Sequence, residues 1–375
     1  MEARLADYLF IGVIAAAISF AATPLVRLLS MKIGAIDNPN DRKVHARPTP
    51  TLGGLAIFIG IGGSAFAASL LHVFRPLFTQ SSQLLGIGAG ALVIFLLGAV
   101  DDLHDLPAPV KLAGQVFAAG ILFLAGVKMQ TILLPGNLIT LGDDVSVLVT
   151  VLWLVAMMNA VNLVDGLDGL AAGIVAIAGS AFFVYTFQLA QSGGVGPVYA
   201  APLIAILIVG AALGFLRHNF HPARIFMGDS GSMLLGLVLG AATVIGVGSV
   251  PSGLSATSVF LAYFPLLIPL MVLALPILDA MFAIVRRARR RRSVFHADKE
   301  HIHDVHVGSA RGGCRPGLHL PRPGGRHLRI AHRGRCFGAV HAVSRPDEDH
   351  PGAPPGLIAP EREPSGGPAV WLLSL

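Results

Sequence analysis

Residues 156–173 read AMMNAVNLVDGLDGLAAG and place a dense polar cluster within an otherwise apolar part of the chain. Carboxylate and amide oxygens are hard ligands of the kind that magnesium takes from proteins, while phosphates and water fill its remaining positions. Acidic groups are costly in an apolar setting, so their repetition indicates a functional site. The cluster comprises Asn159, Asn162, Asp165 and Asp168.

A single helical face cannot hold this whole cluster. Each helical residue advances about 100°, which puts Asn159 and Asn162 about 60° apart but Asp168 about half a turn from Asn159. Gly166 and Gly169 allow the backbone to leave the helix and to return the carboxylates toward the asparagines. The alternative is an ordinary polar loop in which an aspartate caps the next helix.

A second acidic group lies in AVDDLHDLPAPVK, residues 99–111. Asp101 and Asp102 come at the C-terminal end of a predicted helix, where the helix dipole disfavours an anion. We therefore expect a cation to compensate them. The alternatives are a solvated helix end for the pair, an N-cap role for Asp105 in the next helix, and a membrane-interface anchor role for Lys111.

A third polar group lies in ARIFMGDSGSMLLG, residues 223–236. Asp229 precedes an apolar run, and Gly228 and Gly231 beside it allow a phosphate or a metal ion to approach the backbone closely. A plain N-cap is the alternative role for Asp229. Phe226 is either a lipid-facing apolar side chain or a flat surface for a planar ring.

Two basic segments complete the set of candidate residues. Residues 36–54, IDNPNDRKVHARPTPTLGG, carry His45 among arginines and a lysine, which suits an anionic lipid headgroup or a lipid phosphate substrate. Residues 286–304, RRARRRRSVFHADKEHIHD, begin with an arginine run that we interpret as a topology anchor. A spacing of two turns His301 and His303 to opposite sides of a helix, so we expect a phosphate contact rather than a helical metal chelate.

The elements that must position these residues are membrane helices. Of the 375 residues, 54% are hydrophobic and 13% are charged, and the mean hydropathy is +0.72, values outside those of soluble domains. The sequence therefore predicts an all-α polytopic membrane protein with about nine transmembrane helices, each near the about 20 residues of a spanning helix. The windows are about 8–28, 52–72, 84–100, 111–127, 145–160, 169–190, 197–216, 231–250 and 257–285.

Lysine and arginine fall almost entirely in every second loop, which is the pattern of cytoplasmic loops. This pattern places the N-terminus outside and every polar group described above on the cytoplasmic side. It accounts for much of the net charge of +6, so no nucleic-acid partner is required. On the opposite side, residues 128–146 could form a small hairpin with Asp143 and Asp144 in solvent. The two cysteines lack metal-ligand spacing and imply no disulfide framework or zinc site.

Acids together with lysine, arginine and histidine make the combination expected for a magnesium–phosphate centre. Mn²⁺ is an alternative ion because it prefers the same oxygen ligands. A phosphoryl-transfer enzyme works by positioning its substrates and neutralising charge. The sequence therefore predicts two substrates that meet at the cytoplasmic interface. One is soluble and phosphorylated, and the other is a lipid whose tail lies along the spans.

The motifs AVDDLHDL, NAVNLVDGLDGLAAG, FMGDSGS, DKEHIHD and VHARPTPTLGG resemble those of the polyprenyl-phosphate N-acetylhexosamine-1-phosphate transferases, over about residues 20–303. The resemblance implies a multi-pass enzyme of the inner or plasma membrane, with ten or eleven spans and an active site that faces the cytoplasm. It implies transfer of N-acetylglucosamine 1-phosphate from UDP-N-acetylglucosamine to a polyprenyl phosphate, with release of UMP. This would be the first membrane step of cell-wall or surface-polymer synthesis, lipopolysaccharide included.

The resemblance also implies roles for the polar residues. Asp229 matches the principal magnesium ligand, and Asn162 matches its companion. Asp101 and Asp102 match an essential acidic pair, proposed to activate the lipid phosphate or to assist the metal, and Lys111 matches a phosphate-contacting lysine. A lipid phosphate is already mostly dianionic near neutral pH, since its second pKa is about 6. We therefore favour direct in-line attack over a covalent aspartyl intermediate.

Further matches concern the substrates. Asp168 falls where the family reads the uracil edge, and Phe226 falls where an aromatic ring stacks on the base. His301 and His303 match a histidine motif near the pyrophosphate and the sugar. The DKEHIH form resembles the N-acetylglucosamine branch, whereas the muramoyl-pentapeptide branch carries a triple histidine. Substrate binding is also predicted for His45, Asn159 and Asp165.

The chain departs from the family after Asp304. Residues 304–375 are rich in Arg, Pro, Gly and His, lack lysine, and have no apolar run long enough to cross a bilayer. This segment resembles a shifted reading frame, and a disordered basic tail is the alternative. We therefore predict a transmembrane sugar-phosphate transferase domain at 1–303 and an aberrant tail at 304–375. The activity of this exact chain is then a matter for experiment.

Other functions remain open from the sequence alone. A phospho-N-acetylmuramoyl-pentapeptide transferase-type activity would use the same motifs. An ion or solute transporter would place its acids near mid-span. A membrane scaffold that binds acidic lipids would leave Asn159, Asn162 and Asp229 without a task. A homodimer is compatible with the sequence.

Overall fold

The computed structural model describes residues 4–37, 48–134, 137–191 and 200–248, together with Ala274. All of them belong to the compact unit Met1–His306. His45, His301, His303, nearly all of the ninth predicted span and the segment 304–375 lie outside the described residues. The domain boundary at 303 and 304 therefore stays a prediction.

Helices dominate the described ranges, and two short antiparallel strand pairs accompany them. The helices are α1 Leu5–Ile33, α2 Gly54–Leu70, α3 Arg75–Thr79, α4 Gln83–His104, α5 Ala108–Leu124, α6 Asp143–Val164, α7 Leu170–Gln191, α8 Ala200–Asn219 and α9 Gly228–Gly248. The strands are β1 Ile36–Asp37, β2 Thr49–Pro50, β3 Thr131–Leu134 and β4 Asn137–Thr140.

The helices have the length and composition of membrane spans. Six of them in the described part, α1, α4, α6, α7, α8 and α9, are long and apolar enough to cross a membrane. α2 and α5 are apolar but have 17 residues each, at the lower limit of about 17–25 residues for a span. Helices satisfy their own backbone polar groups, which is what a bilayer requires. The prediction of a helical membrane protein is confirmed, while the number of spans and their orientation stay predictions.

α8 and α9 form the interior of the described bundle. Buried residues make up 83% and 89% of their apolar windows, against 33% for α1 and for α4. α8 packs on α1 through small residues, because a β-carbon on Gly210 or Gly214 would overlap with the backbone of Gly12 or Ala16. Small residues allow close helix approach in a membrane, where the hydrophobic effect does not drive helices together. This packing holds the C-terminal half of α8 against α1.

The polar motifs gather at one end of the bundle, here called the site end. α4, α6 and α8 end there, and α2, α5, α7 and α9 begin there. The opposite end, here called the hairpin end, carries α3 and the β3–β4 pair, in which Thr131 lies opposite Thr140. The predicted hairpin is confirmed. Asp143 and Asp144 are exposed beside it in the first turn of α6, as predicted.

Backbone hydrogen bonds join three segments at the site end. β1 pairs with β2, so that Ile36 lies opposite Pro50. The carbonyl of Pro50 accepts the N–H of Phe226 at 2.8 Å, and the carbonyl of Phe226 accepts the N–H of Gly53 at 2.9 Å. The start of α2 and the residues before α9 are therefore held together.

Asp105 ends α4 and does not begin α5, so the N-cap role suggested for it is wrong. Its φ is +46°, and its N–H donates to the carbonyl of Asp101 at 3.0 Å. Pro107 occupies the N-cap position of α5. Helices often end at a residue with left-handed backbone, and the short polar side chain of aspartate tolerates that conformation.

Candidate active site

Asp229, in the first turn of α9, receives polar contacts from three other helices. Lys111 of α5 donates from Nζ to Asp229 Oδ2 at 2.9 Å, and Asn162 of α6 donates from Nδ2 to Asp229 Oδ1 at 2.9 Å. The backbone N–H of Asp229 donates to Asp102 Oδ1 of α4 at 2.7 Å. The partners are 67 to 127 positions away from Asp229 in the sequence. The structure thus brings four of the predicted site residues into direct contact.

Lys111 bridges two carboxylates. Its Nζ lies 2.5 Å from Asp101 Oδ2 and 2.9 Å from Asp229 Oδ2. The Asp101 side chain is only 6% exposed, and its Oδ1 accepts the N–H of Leu106 at 2.7 Å. A buried carboxylate requires a partner of this kind. Lys111 is therefore a cation of the kind that we expected at the end of α4, and it compensates Asp101 of the acidic pair.

Asp102 has a different partner, the N-terminus of α9. Its Oδ2 accepts the Ser230 hydroxyl at 2.7 Å and the Ser230 N–H at 3.2 Å, while its Oδ1 accepts the N–H of Asp229. The first N–H groups of a helix lack intrahelical acceptors and carry the positive end of the helix dipole. A carboxylate of α4 thus caps α9, and the Asp229 carboxylate remains available to Lys111 and Asn162.

Gly228 makes this cap possible. It adopts φ +73°, a conformation that L side chains rarely adopt. A β-carbon at this position would lie 2.5 Å from Asp102 Oδ2. The glycine therefore allows α4 and α9 to meet at the carboxylate.

The helix α6 ends two residues after Asn162, so the predicted departure of the backbone from the helix near Gly166 is confirmed. α6 ends at Val164, and Gly169 has φ +74°. Asn162 contacts Ser232 Oγ at 3.0 Å in addition to Asp229. Asp165 follows α6 directly. Burial of Asp165, together with the negative charges of Asp229 and Asp102, raises the pKa of its carboxyl to about 8.

Asp168 lies in contact with another element, the loop between α8 and α9. Its Oδ2 accepts the N–H of Ala223 at 3.0 Å and lies 2.8 Å from His221 Nδ1. The buried Asn219 fastens the same loop, because it donates to the carbonyl of Ile225 at 3.0 Å and accepts the N–H of Gly169 at 3.0 Å. The structure therefore joins the loop after α6 to the loop after α8.

Several of these residues were not identified from the sequence. Asn219 and His221 stand in RHNFHPARIF, residues 217–226, where polar residues between two spans were the available signal. Ser230 and Ser232 stand inside the FMGDSGS motif. Phe226 is half-buried, and its backbone bonds to Pro50 and Gly53 fix its place beside the start of α2.

Asn159 does not contact Asp229. Its Nδ2 donates to Gln115 Oε1 at 2.8 Å and to the carbonyl of Val155 at 2.8 Å. Gln115 was also missed, since a lone glutamine in an apolar helix gives little signal. Substrate binding by Asn159 and by Asp165 stays a prediction.

The oxygen ligands at the site fit the predicted magnesium ion. The described residues contain no group of three or more His, Cys, Asp or Glu side chains that could hold a metal. Mg²⁺ requires fewer protein ligands, because one or two carboxylates suffice when phosphates and water supply the rest. Asp229 and Asn162 touch each other and offer carboxylate and amide oxygens, which are ligands of the required type.

The class of protein follows from comparison with known proteins. Residues 84–247 match Glycosyl transferase family 4, and this range contains Asp101, Lys111, Asn162 and Asp229. The predicted transferase is confirmed at this level.

Individual relatives show which members of this class the chain is similar to. A decaprenyl-phosphate N-acetylglucosaminephosphotransferase of Mycobacterium tuberculosis is 41% identical over 304 residues, which cover 80% of this chain and 75% of the relative. A probable undecaprenyl-phosphate N-acetylglucosaminyl 1-phosphate transferase of Bacillus subtilis is 38% identical over 283 residues, covering 75% and 72%. A phospho-N-acetylmuramoyl-pentapeptide-transferase of Anoxybacillus flavithermus is 36% identical over 223 residues, covering 56% and 65%. The chain belongs to glycosyl transferase family 4, and the resemblance of its motifs to the polyprenyl-phosphate N-acetylhexosamine-1-phosphate transferases is confirmed.

Proposed function

We propose that the chain transfers N-acetylglucosamine 1-phosphate from UDP-N-acetylglucosamine to a polyprenyl phosphate and releases UMP. The names of the M. tuberculosis and B. subtilis relatives support this reaction. The observation that carries the proposal is the convergence of Asp101, Lys111, Asn162 and Asp229 from four helices on one cluster at the site end. Such a cluster combines an ammonium group with oxygen ligands for a divalent cation, and together the two cations would neutralise a diphosphate substrate.

The chemistry is a displacement at phosphorus. An oxygen of the lipid phosphate forms a bond to the phosphorus that carries the sugar, and the bond from that phosphorus to the bridging oxygen of the diphosphate breaks. UMP leaves with the bridging oxygen and its electron pair. The lipid phosphate is mostly dianionic near neutral pH, with a second pKa of about 6, so no strong general base is required.

Lys111 and the oxygen ligands have different electrostatic roles in the proposed reaction. Lys111 is held between two carboxylates, and its ammonium group would contact a phosphate oxygen of the substrate. Asp229 and Asn162 are the residues that would hold Mg²⁺, or Mn²⁺ in its place. The bound ion would neutralise charge on the diphosphate and on the leaving phosphate. Asp229 keeps Lys111 and Asn162 at 2.9 Å from its carboxylate.

Asp101 and Asp102 position these groups in our proposal and take no proton. Asp101 fixes the ammonium group of Lys111. Asp102 uses both carboxylate oxygens on the first turn of α9 and so orients Asp229. Preorganised charges of this kind stabilise a transition state without rearranging during the reaction.

The remaining residues are proposed to bind the substrates. Asp168 would read the uracil edge, and Phe226 would stack on the base. Asp165 would lie near the diphosphate. The residues outside the described ranges are proposed to contact phosphates and the sugar, namely His45, His301 and His303.

The proposed orientation puts the site end in the cytoplasm of a bacterial cell, in its inner or plasma membrane. The lysines and arginines of the loops support this orientation, because cytoplasmic loops are enriched in them. UDP-sugars would then reach the site from the cytoplasm, and the polyprenyl phosphate would reach it from the bilayer.

A muramoyl-pentapeptide transferase activity is the second candidate, and the A. flavithermus relative favours it. That relative matches 56% of this chain, whereas the M. tuberculosis relative matches 80%. A transporter is not favoured, because Asp101 and Asp102 lie in the last turn of α4 and Asp229 lies in the first turn of α9. The acids therefore stand at helix ends and not at mid-span.

The test is release of UMP by the full-length chain in membranes supplied with decaprenyl or undecaprenyl phosphate. UDP-N-acetylglucosamine and UDP-N-acetylmuramoyl-pentapeptide are offered in parallel reactions, each with Mg²⁺, with Mn²⁺ or with chelator. We expect metal-dependent UMP and a lipid-linked N-acetylglucosamine product with the first substrate only. UMP from the pentapeptide substrate alone would favour the second candidate, and no UMP from either would reject the proposal.

A further inference from the structure

A second polar contact joins the same helices deeper in the bundle, and we call it the amide layer. Asn159 of α6 donates to Gln115 Oε1 of α5 at 2.8 Å, and Gln115 Nε2 lies 3.5 Å from Asn159 Oδ1, at the limit of a hydrogen bond. Gln115 Nε2 also donates to the sulfur of Met233 in α9 at 3.2 Å. Gln115 is 2% exposed. The amide layer is therefore a buried contact among α5, α6 and α9.

Each residue of the amide layer lies about one helical turn from a site residue on the same helix, farther from the site end. A turn contains 3.6 residues, so residues three or four apart lie on the same face of a helix. Each member of the layer is three or four residues from a site residue on its own helix, in the direction away from the site end. The three pairs are Gln115 beneath Lys111, Asn159 beneath Asn162, and Met233 beneath Asp229.

An amide pair in apolar surroundings can fix how far one helix is displaced along its axis relative to its neighbour. Apolar side chains can slide past one another with gradual changes in packing, whereas an amide that loses its partner bears the full desolvation penalty of that group. α6 and α9 are already in close contact, because a β-carbon on Gly236 would lie 2.6 Å from the Met157 carbonyl oxygen. Gln115 connects α5 to this closely packed pair of helices.

We infer that Gln115 and Asn159 are positioning residues, which set the axial position of α5 relative to α6 and α9. Lys111 and Asn162 then reach Asp229 at the same time. This inference rests on the proposed function, because it assigns a role in that reaction. In this assignment Asn159 acts through Gln115, and this role replaces the substrate contact predicted for it from the sequence.

The first test replaces the amide by an apolar group of similar size, Gln115→Leu, in the full-length chain. We expect kcat for UMP release to fall about 10- to 100-fold, since misplacement of reacting groups by about 1 Å has effects of this size. KM for UDP-N-acetylglucosamine should change less than about threefold, because Asp168 and Phe226, which are proposed to bind the base, lie outside α5 and are retained. A wild-type kcat in the folded variant would overturn the inference.

Thr243→Val supplies the matched control. Thr243 of α9 accepts a hydrogen bond from Trp153 Nε1 of α6 at 2.9 Å, so the variant also removes a buried polar contact between helices. Thr243 contacts no site residue in the described part of the chain. We expect Thr243→Val to lower the melting temperature in detergent while kcat stays within about twofold of the wild type. If both variants lose kcat in proportion to melting temperature, the role of Gln115 is structural only.

A rescue experiment covers the case in which Gln115→Leu does not fold. Gln115→Asn shortens one amide, and adding Asn159→Gln restores the combined length of the pair. We expect Gln115→Asn to lower kcat about tenfold and the double variant to recover at least a third of the wild-type value. A double variant no better than Gln115→Asn would contradict the inference. If the wild-type chain releases no UMP, the proposed function fails, and these variants are then compared by whether Mg²⁺ still raises their melting temperature.

Discussion

Lys111 lies in the first turn of α5 and Lys128 follows the end of that helix. The two lysines pair with aspartates in different surroundings. Lys111, at the site end, lies 2.5 Å from Asp101 and 2.9 Å from Asp229, and these carboxylate side chains are 6% and 28% exposed. Lys128, at the hairpin end, lies 3.8 Å from Asp143, whose side chain is 84% exposed. Lys128 also lies over the ring of Phe123, 4.7 Å from its centroid. The aspartate partners of Lys111 are largely shielded from water, whereas that of Lys128 is solvated.

The two ends of the bundle also differ in the kind of side chains that pack there. At the hairpin end, rings pack together, with Tyr8 5.0 Å from Phe74 and 5.8 Å from Phe183 between centroids. Aromatic packing of this kind stabilises a fold at little electrostatic cost. At the site end, acids are partly desolvated, which is unfavourable unless their charge is used. Mutation can therefore distinguish the charged residues at the site end, which should affect activity, from those at the hairpin end, which should not.

The largest expected effect is that of Asp229→Asn, with Asp143→Asn as the matched control. The change keeps the shape of Asp229 but removes the charge that Lys111 and Asn162 contact. We expect UMP release to fall on the order of 10³-fold, because the site loses preorganised charge and a proposed metal ligand. Asp143→Asn should stay within about twofold in the same assay. Equal losses in the two variants would remove the distinction between the ends.

The next effect is that of Lys111→Met compared with Lys128→Met. We expect Lys111→Met to lower kcat/KM about 100-fold, since the proposed phosphate contact and the charge balance of the site are lost together. It should also destabilise the chain by about 1 to 3 kcal/mol, less than for a fully buried pair because Lys111 is partly exposed. Lys128→Met should cost below about 1 kcal/mol. Steady-state kinetics and thermal unfolding in detergent measure both quantities.

The comparison also shows which features of the fold can be predicted from the sequence. Apolar windows predicted α1, α2 and α4–α9 because a bilayer requires long apolar helices. The short α3 was missed, since its five residues, RPLFT, form no periodic pattern. The role of Asp105 was assigned to the wrong helix, because one aspartate between two helices can end the first or begin the second.

For the site, the residue types were predictable and their partners were not. Asp101, Lys111, Asn162 and Asp229 were identified from motifs, and the structure brings them together. The motifs could not show that Asp102 caps α9, because this depends on the contact between α4 and α9. Gln115 and Asn219 lie in ordinary surroundings in the sequence, and only the packing of distant helices gives them partners.

The effect of Asp165 is expected in the pH dependence of stability, where it differs from the exposed Asp143. An unfolded aspartate has a pKa of about 3.9, and the folded protein raises that of Asp165 to about 8 because of burial and the nearby acids. Between these values the folded chain holds a proton that the unfolded chain releases, so stability falls as pH rises from about 4 to about 8. Asp165→Asn should remove this part of the slope and be more stable than the wild type at pH 8.

Thermal unfolding without divalent ions, from pH 5 to pH 9, measures this effect. Asp143→Asn should keep the wild-type slope, since Asp143 is exposed to solvent. Parallel curves for the wild type and Asp165→Asn would show that Asp165 ionises normally in the folded chain.

The smallest effect is the coupling between Lys128 and Asp143, measured by a double-mutant cycle of Lys128→Met and Asp143→Asn. At 3.8 Å with one partner 84% exposed, the pair should couple by at most about 0.5 kcal/mol, and 1 M salt should abolish the coupling because the Debye length is then about 3 Å. The same cycle on Lys111→Met and Asp101→Asn should retain most of its coupling in 1 M salt, because the Asp101 side chain is 6% exposed and ions cannot enter between the charges. A salt-resistant coupling at the hairpin end would mean that Lys128 and Asp143 are as shielded as the site pair, and the contrast between the two ends of α5 would no longer distinguish function from structure.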